Sequence, residues 1–270
     1  MLLFSFPAIV MNIGADIAGM GAVGNLLFPS IHATFFCIGF TVLLLGSIIY
    51  LPYLFFWQAN MEVEDKKQKH LIVNKRVIVE MKKDINFGML FSNVVMFFLI
   101  LTTGSVLFNG GIHQIDTVEQ AAEALKPLAG NFAYLIFAVG VIGTGLLAIP
   151  VLSGSLSYIF TETFGLSQGL DKKFHQAKAF YFIIAISLIL GLAINYMGSS
   201  PIKALIYSAI LYGLTAPILI VIILHITNNK KIMGKHTNGK MSNILGFSAL
   251  ALMSVAAVVL MYMQLTENTT

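Results

Sequence analysis

One acidic residue, Asp16, lies inside the long apolar run that opens this sequence, and no further acid occurs before Glu62. A charge at the centre of a membrane costs about 2.5–3.5 kcal/mol on insertion scales, so such a residue marks an ion or proton path by default. Asn12 lies four residues earlier and therefore on the same face of a helix. Two oxygen-bearing side chains on one face can line a hydrophilic path for a cation or a proton. The alternative is a polar pair that neighbouring helices satisfy.

A proline interrupts the second apolar run near its end. Pro52 stands between Leu51 and Tyr53 and removes one hydrogen bond of a helix, which frees a carbonyl oxygen. Broken helices in transporters coordinate ions through such carbonyls. A simple kink is the alternative, and the spacing alone does not decide between the two.

Motifs of enzymes are absent from the sequence. The six histidines stand singly, and there is no HExxH motif, no phosphate-binding glycine loop and no Ser–His–Asp set. We therefore predict no enzymatic activity and no cofactor. Cys37, the one cysteine, lies in an apolar run, which is typical of a small buried hydrophobic residue, and no disulfide can form within the chain.

The elements that must position these side chains are membrane helices. The chain has 270 residues, of which 57% are hydrophobic and 10% charged, whereas soluble domains carry about 25% charged residues. Because a span needs about 20 apolar residues, the sequence predicts an all-α polytopic bundle that forms one transmembrane domain, 1–270. The predicted spans are 1–28, 31–56, 85–108, 131–164 (interrupted by Pro150), 179–197, 201–226 and 244–263.

Basic residues are distributed as the positive-inside rule requires. All but two of the 16 lysines and arginines lie in three alternate connections, 57–84, 165–178 and 227–243. Seven spans then give one orientation, with a cytoplasmic N-terminus and an external C-terminus. The membrane therefore explains the positive charge, and no nucleic-acid partner is expected. No cleavable signal peptide is evident.

The outer connection 109–130 carries a helix signal. Thr117 and Gln120 have the spacing of a capping box, which predicts a short helix from Val118 to Lys126 that Pro127 ends. In the first span, small residues recur every four positions from Gly14, a spacing that permits close helix packing. Five other polar residues lie within the predicted spans, and for these we expect hydrogen bonds between helices: Asn93, Thr102, Thr103, Thr144 and Asn195.

Several of these stretches resemble Nramp-related divalent metal transporters. Residues 12–20 are similar to the third membrane helix of that family, and residues 52–64 to the end of its sixth helix and the loop that follows. Later parts of the family are matched by residues 88–103, 120–130, 142–148 and 228–234. The resemblance covers nearly the whole chain.

The resemblance implies a partial LeuT-like fold, in which inverted repeats hold a midplane site between broken helices. It implies divalent metal ions of the manganese, iron or magnesium class as substrates, and it places Asp16 on the proton route. Gly19 stands where the family has a second acid on that route. Leu51, Pro52 and Tyr53 replace a Met-Pro-His motif, and loss of the soft thioether favours harder ions such as magnesium or manganese.

The resemblance also has gaps. It begins at the third helix of the family, so the first two helices, which carry a metal-binding motif, and the fifth have no counterpart here. We therefore expect metal uptake by this chain alone to be weak or absent, and the sequence assigns no metal ligands. A transport-inactive scaffold or partner subunit is the alternative. An intramembrane enzyme is disfavoured because no second catalytic residue faces Asp16. The expected partners are the lipid bilayer of a prokaryotic cell (inner) membrane, a divalent metal ion and a membrane chain that supplies the missing helices.

Overall fold

Long helices form the first part of the chain. The computed structural model describes residues 2–50, 75–108, 111, 115–123, 125–170, 172–196 and 200–267. The helices before the outer connection are α1 (Leu2–Leu27), α2 (Ala33–Tyr50) and α3 (Lys75–Thr102), which continues as the π-helix Thr103–Phe108. A turn at Pro29 and Ser30 joins α1 to α2, as predicted.

Short helices alternate with long ones in the rest of the chain. Two short helices lie in the outer connection, and another lies between the last two long helices. The bounds are α4 (Val118–Glu123), α5 (Lys126–Ala129), the 3₁₀ turn Gly130–Phe132, α6 (Ala133–Thr163), α7 (Lys178–Asn195), α8 (Pro201–Asn228), α9 (Lys230–Met233) and α10 (Lys240–Glu267).

Six of these helices are long and apolar enough to cross a membrane. No strand occurs among the described residues, which confirms the prediction of an all-α polytopic membrane bundle. The predicted second span is described only as far as α2, whose apolar part, Ala33–Ser47, is shorter than a full span. A count of seven spans within one domain therefore stays a prediction.

Helix α1 is the centre of the bundle and packs against α2, α6, α7 and α8. Ile13, Ile17 and Met20 project from it and are fully buried. A Cβ added to Gly14 would lie 2.8 Å from the carbonyl oxygen of Gly191 in α7, so the two backbones are in direct contact. This contact confirms the predicted close packing at Gly14, since small residues allow membrane helices to gain van der Waals contact.

The longest helix, α6, differs from the prediction at its proline. Pro150 does not interrupt it, since the helix runs without a break from Ala133 to Thr163. The missing amide hydrogen of one proline can be tolerated when neighbouring groups fill the freed positions. The carbonyl freed by Pro150 is that of Leu146, one turn earlier, and the Ser153 hydroxyl separately donates to the Pro150 carbonyl at 3.1 Å within the same helix. The prediction for Cys37 is confirmed, because its thiol is buried and lies 3.5 Å from the Ile17 carbonyl oxygen.

Helices α3 and α10 lie at the periphery. Every side chain of α3 from Val79 to Leu101 is exposed, and α10 packs against α8. Exposing so many apolar side chains to water would be unfavourable, but in a bilayer lipid tails cover them. The interior of the bundle is therefore built by α1, α2, α6, α7 and α8.

Candidate functional site

The Asp16 side chain lines a cavity of about 210 Å³. The cavity is bounded by α1, by α6 at Val141 and Thr144, and by α8 at Ile202 and Leu205. Asp16 is half-buried and makes no hydrogen bond or ion pair with any other residue that the structure describes. A carboxylate that only holds helices together would have such partners. The geometry therefore favours a group that faces a polar or ionic occupant of the cavity.

Asn12 lies one helical turn before Asp16 and is also half-buried. Beside this pair the structure places Tyr212 of α8, a residue for which the sequence suggested no role. Its hydroxyl is buried next to the Asn12 side chain but completes no hydrogen bond within the described part of the chain. An unfilled buried hydroxyl can donate to an incoming water, anion or carboxylate. The three side chains thus form a polar strip where α8 packs against α1.

The outer connection closes one end of the cavity. Val118 and Ala121 of α4 line it, and the predicted capping box is present at the start of this helix. The Gln120 backbone N–H donates to the Thr117 hydroxyl at 3.2 Å, and the Thr117 backbone N–H donates to the Gln120 side-chain oxygen at 3.3 Å. Ala122 is fully buried on the same face. Helix α4 therefore forms part of the cavity wall at this end.

The end of this helix differs from the prediction. Helix α4 stops at Glu123 rather than at Lys126, and Pro127 lies in the first turn of α5 instead of ending a helix. Proline is tolerated in the first turn because its missing amide hydrogen has no partner there in any case. The outer connection consequently contains two short helices, Val118–Glu123 and Lys126–Ala129.

Glu123, at this junction, accepts hydrogen bonds from the Lys126 ammonium at 3.0 Å and the Tyr134 hydroxyl at 2.9 Å. Lys126 first, and then Tyr134, lowers the pKa of Glu123 below its ordinary value of 4.5. Because the folded pKa is lowered, the stabilisation is present above pH 4.5 and is lost as the pH falls through the lowered pKa.

We expect Lys126→Met to move the pKa of Glu123 upward towards its ordinary value, because the largest cause of the shift is removed. The measurement is an NMR titration of glutamate side-chain carbons in detergent. Lys203→Met, at the exposed start of α8, is the matched control and should leave the midpoint unchanged. Equal midpoints in all three proteins would contradict the assignment.

Three of the other polar residues within the spans bond to their own helix instead of joining two helices, and the prediction for Thr102 stays untested. Asn93, Thr103 and Thr144 each donate to a carbonyl of their own helix, at Met89, Leu99 and Gly140 respectively. That part of the prediction is wrong for these residues, because a carbonyl four residues earlier is always within reach of a short side chain. The Asn195 amide nitrogen is buried without a described partner.

The remaining predicted pathway residues, Leu51, Pro52 and Tyr53, lie outside the described residues. Within the described ranges, no three His, Cys, Asp or Glu side chains lie close enough together to hold a metal ion. The described part of the site is therefore one carboxylate with amide and hydroxyl neighbours. Such a group can pass a proton or give one oxygen ligand to a cation.

Nearly the whole chain is similar to a known protein family. The family model described as natural resistance-associated macrophage protein-like matches residues 2–263. A divalent metal cation transporter MntH of Clostridium acetobutylicum is 24% identical over 222 residues, which is 82% of this chain and 48% of the relative. The MntH of Mycobacterium leprae is 24% identical over 234 residues, or 84% of this chain and 51% of the relative. The chain thus spans about half the length of the curated relatives it matches.

Proposed function

Since the chain belongs to the natural resistance-associated macrophage protein-like family, we propose that it takes part in moving divalent metal cations across a membrane. The observation that carries this proposal is the Asp16 carboxylate, which lines a cavity within the bundle and has no partner among the described residues. Asn12 and Tyr212 extend the polar surface from this carboxylate along α1 and α8. Relatives named as divalent metal cation transporters support the same function.

The metal belongs to the manganese, iron or magnesium class in this proposal. The polar side chains at the described site, Asp16, Asn12 and Tyr212, offer oxygen and amide groups, and hard divalent ions prefer oxygen ligands. Leu51 stands in the position where the resemblance places a thioether, and the loss of that soft ligand favours the same hard ions. Magnesium and manganese are therefore the first ions to test.

The chain is an integral multi-pass membrane protein, as the six long apolar helices among its described residues and its family support. We propose the inner membrane of a prokaryotic cell as its location, since the matched relatives are bacterial. Enzymatic activity is not part of the proposal. A membrane partner chain is part of it, and the exposed surface of α3 from Val79 to Leu101, which lipid covers otherwise, is where such a chain would pack. Native mass spectrometry of the complex extracted from cell membranes would detect such a chain.

Metal uptake into proteoliposomes tests the function. Purified chain is reconstituted around a manganese-quenched dye, and the rate of quenching is compared with that of protein-free vesicles. We expect slow uptake that Asp16→Ala abolishes, because Asp16 is the carboxylate of the path. Asn93→Ala is the matched control, since the only hydrogen bond of the Asn93 side chain within the described residues is to the Met89 carbonyl of its own helix.

Three outcomes are distinguishable in this assay. Slow Asp16-dependent uptake supports transport through the described cavity. No uptake above protein-free vesicles favours the alternative, a scaffold or partner subunit derived from a transporter. Robust uptake that Asp16→Ala abolishes would contradict our expectation that this chain alone is a weak transporter.

A further inference from the structure

A second pocket, of about 510 Å³, opens between the adjoining ends of α8 and α10. Leu224 on α8 and Phe247 and Leu250 on α10 line its deeper part, away from the helix ends. Asn228 and Asn243 line the part nearest the helix ends. The pocket is therefore apolar towards the middle of the membrane and polar towards the surface, which is the polarity profile of a phospholipid.

Amide hydrogen bonds hold the polar end of this pocket in a defined geometry. The Asn228 amide donates to Asn243 at 2.9 Å, and the Asn243 amide donates back at 2.7 Å. Asn238 donates through its side chain to the Thr227 hydroxyl at 2.9 Å and through its backbone to the Thr227 carbonyl at 3.1 Å. These bonds tie the connection 229–239 to the end of α8, so the rim is formed before any ligand arrives.

That connection is strongly basic. Lys230, Lys231, Lys235 and Lys240 are all exposed, and no ion pair within the described residues occupies them. The sequence contains no acid between Asp171 and Glu267, so no carboxylate along this stretch offsets their charge. Lys230 directly follows the lining residue Asn229, and basic groups beside membrane helices on the cytoplasmic side attract anionic lipid headgroups.

We propose that the pocket between α8 and α10 binds one anionic phospholipid of the leaflet that faces the basic connections. The phosphate lies beside the lysines and the Asn228–Asn243 rim, and an acyl chain lies along Leu224, Phe247 and Leu250. A free phosphate ion would leave the apolar wall unused. A zwitterionic lipid would bring a cationic headgroup towards the lysines. The site is separate from the Asp16 cavity, and the proposal does not depend on metal transport.

Native mass spectrometry of the detergent-purified full chain tests this proposal. The chain is exposed to phosphatidylglycerol and phosphatidylcholine with identical acyl chains. We expect phosphatidylglycerol to be retained preferentially, and the triple variant Lys230→Gln, Lys231→Gln, Lys240→Gln to reduce its retention by roughly tenfold or more. The matched control removes the same charge from another basic connection: Lys172→Gln, Lys173→Gln, Lys178→Gln.

A wall variant tests the acyl-chain contact without altering charge. Phe247→Ala is expected to weaken retention of long-chain phosphatidylglycerol more than that of a short-chain form, because the exposed Phe247 ring is part of the apolar wall. The proposal is overturned by equal retention of the two headgroups or by an equal loss in the control triple variant, which would indicate diffuse surface charge. Displacement of the lipid by inorganic phosphate would likewise overturn it and indicate a free-anion site.

Discussion

Replacing Asp16 with asparagine is expected to raise the thermal stability of the bundle while removing any metal uptake that depends on this residue. Asp16 is half-buried in α1 and has no hydrogen bond or ion pair with another described residue. The fold therefore bears an uncompensated charge, which costs at most about 2.5–3.5 kcal/mol at the membrane centre. Asparagine keeps the size and removes the charge. For chains of this size, each kcal/mol moves the melting temperature by about 2–4 °C.

Thermal unfolding in a mild detergent at neutral pH measures this effect. Asp84→Asn is the matched control, because Asp84 is an exposed acid on α3 that should leave the melting temperature unchanged. A fall in melting temperature for Asp16→Asn would show that the carboxylate stabilises the folded bundle, and the structural alternative would then hold. Opposite effects on stability and uptake are the signature of a functional group whose burial destabilises the fold.

Gly14→Leu is expected to abolish folding of the bundle. The Cβ position at Gly14 lies 2.8 Å from the carbonyl oxygen of Gly191, and a Cβ at Gly191 would lie 2.8 Å from Cγ2 of Ile13. Backbone atoms cannot rotate away as a flexible side chain can, so a branched side chain at Gly14 would force α1 and α7 apart. Even Gly14→Ala should destabilise the protein by about 1–3 kcal/mol through overpacking.

The control for this prediction is Gly143→Leu on α6. A Cβ at Gly143 meets no atom within 4 Å, so the substitution should be neutral in detergent or in lipid. The readouts are the monodisperse fraction in size-exclusion chromatography and the melting temperature. A Gly14→Leu protein with the melting behaviour of the parent chain would show that the α1–α7 contact does not hold the bundle together.

The two predictions concern one region, because Gly14 lies two residues from Asp16 on α1. The close contact with Gly191 sets the position of α1 against α7, and α8 packs on α1 beside it. A displaced α1 would move Asp16 away from Tyr212 and from the cavity wall. We infer that the glycine contact positions the carboxylate as well as stabilising the bundle.

Much of the fold could be predicted from local patterns along the chain. Apolar runs of span length predicted the long helices because a backbone in lipid must satisfy its own hydrogen bonds. The capping box of Thr117 and Gln120 was recognisable because its partners are only three residues apart. Asp16 was identified as a candidate because a carboxylate in an apolar run is costly wherever the helix lies.

Only the tertiary structure could decide which residues share a site. Tyr212 and Thr144 lie in apolar runs far from Asp16 along the chain. The packing of α8 against α1 makes Tyr212 part of the polar strip, and the packing of α6 against α1 places Thr144 on the cavity wall. The role of Gly191 is likewise decided only by the tertiary structure, because it depends on the contact with Gly14. Spacing within one helix determines which of its residues share a face. Which face meets which neighbour depends on the packing of all the helices, and no short stretch of sequence contains that information.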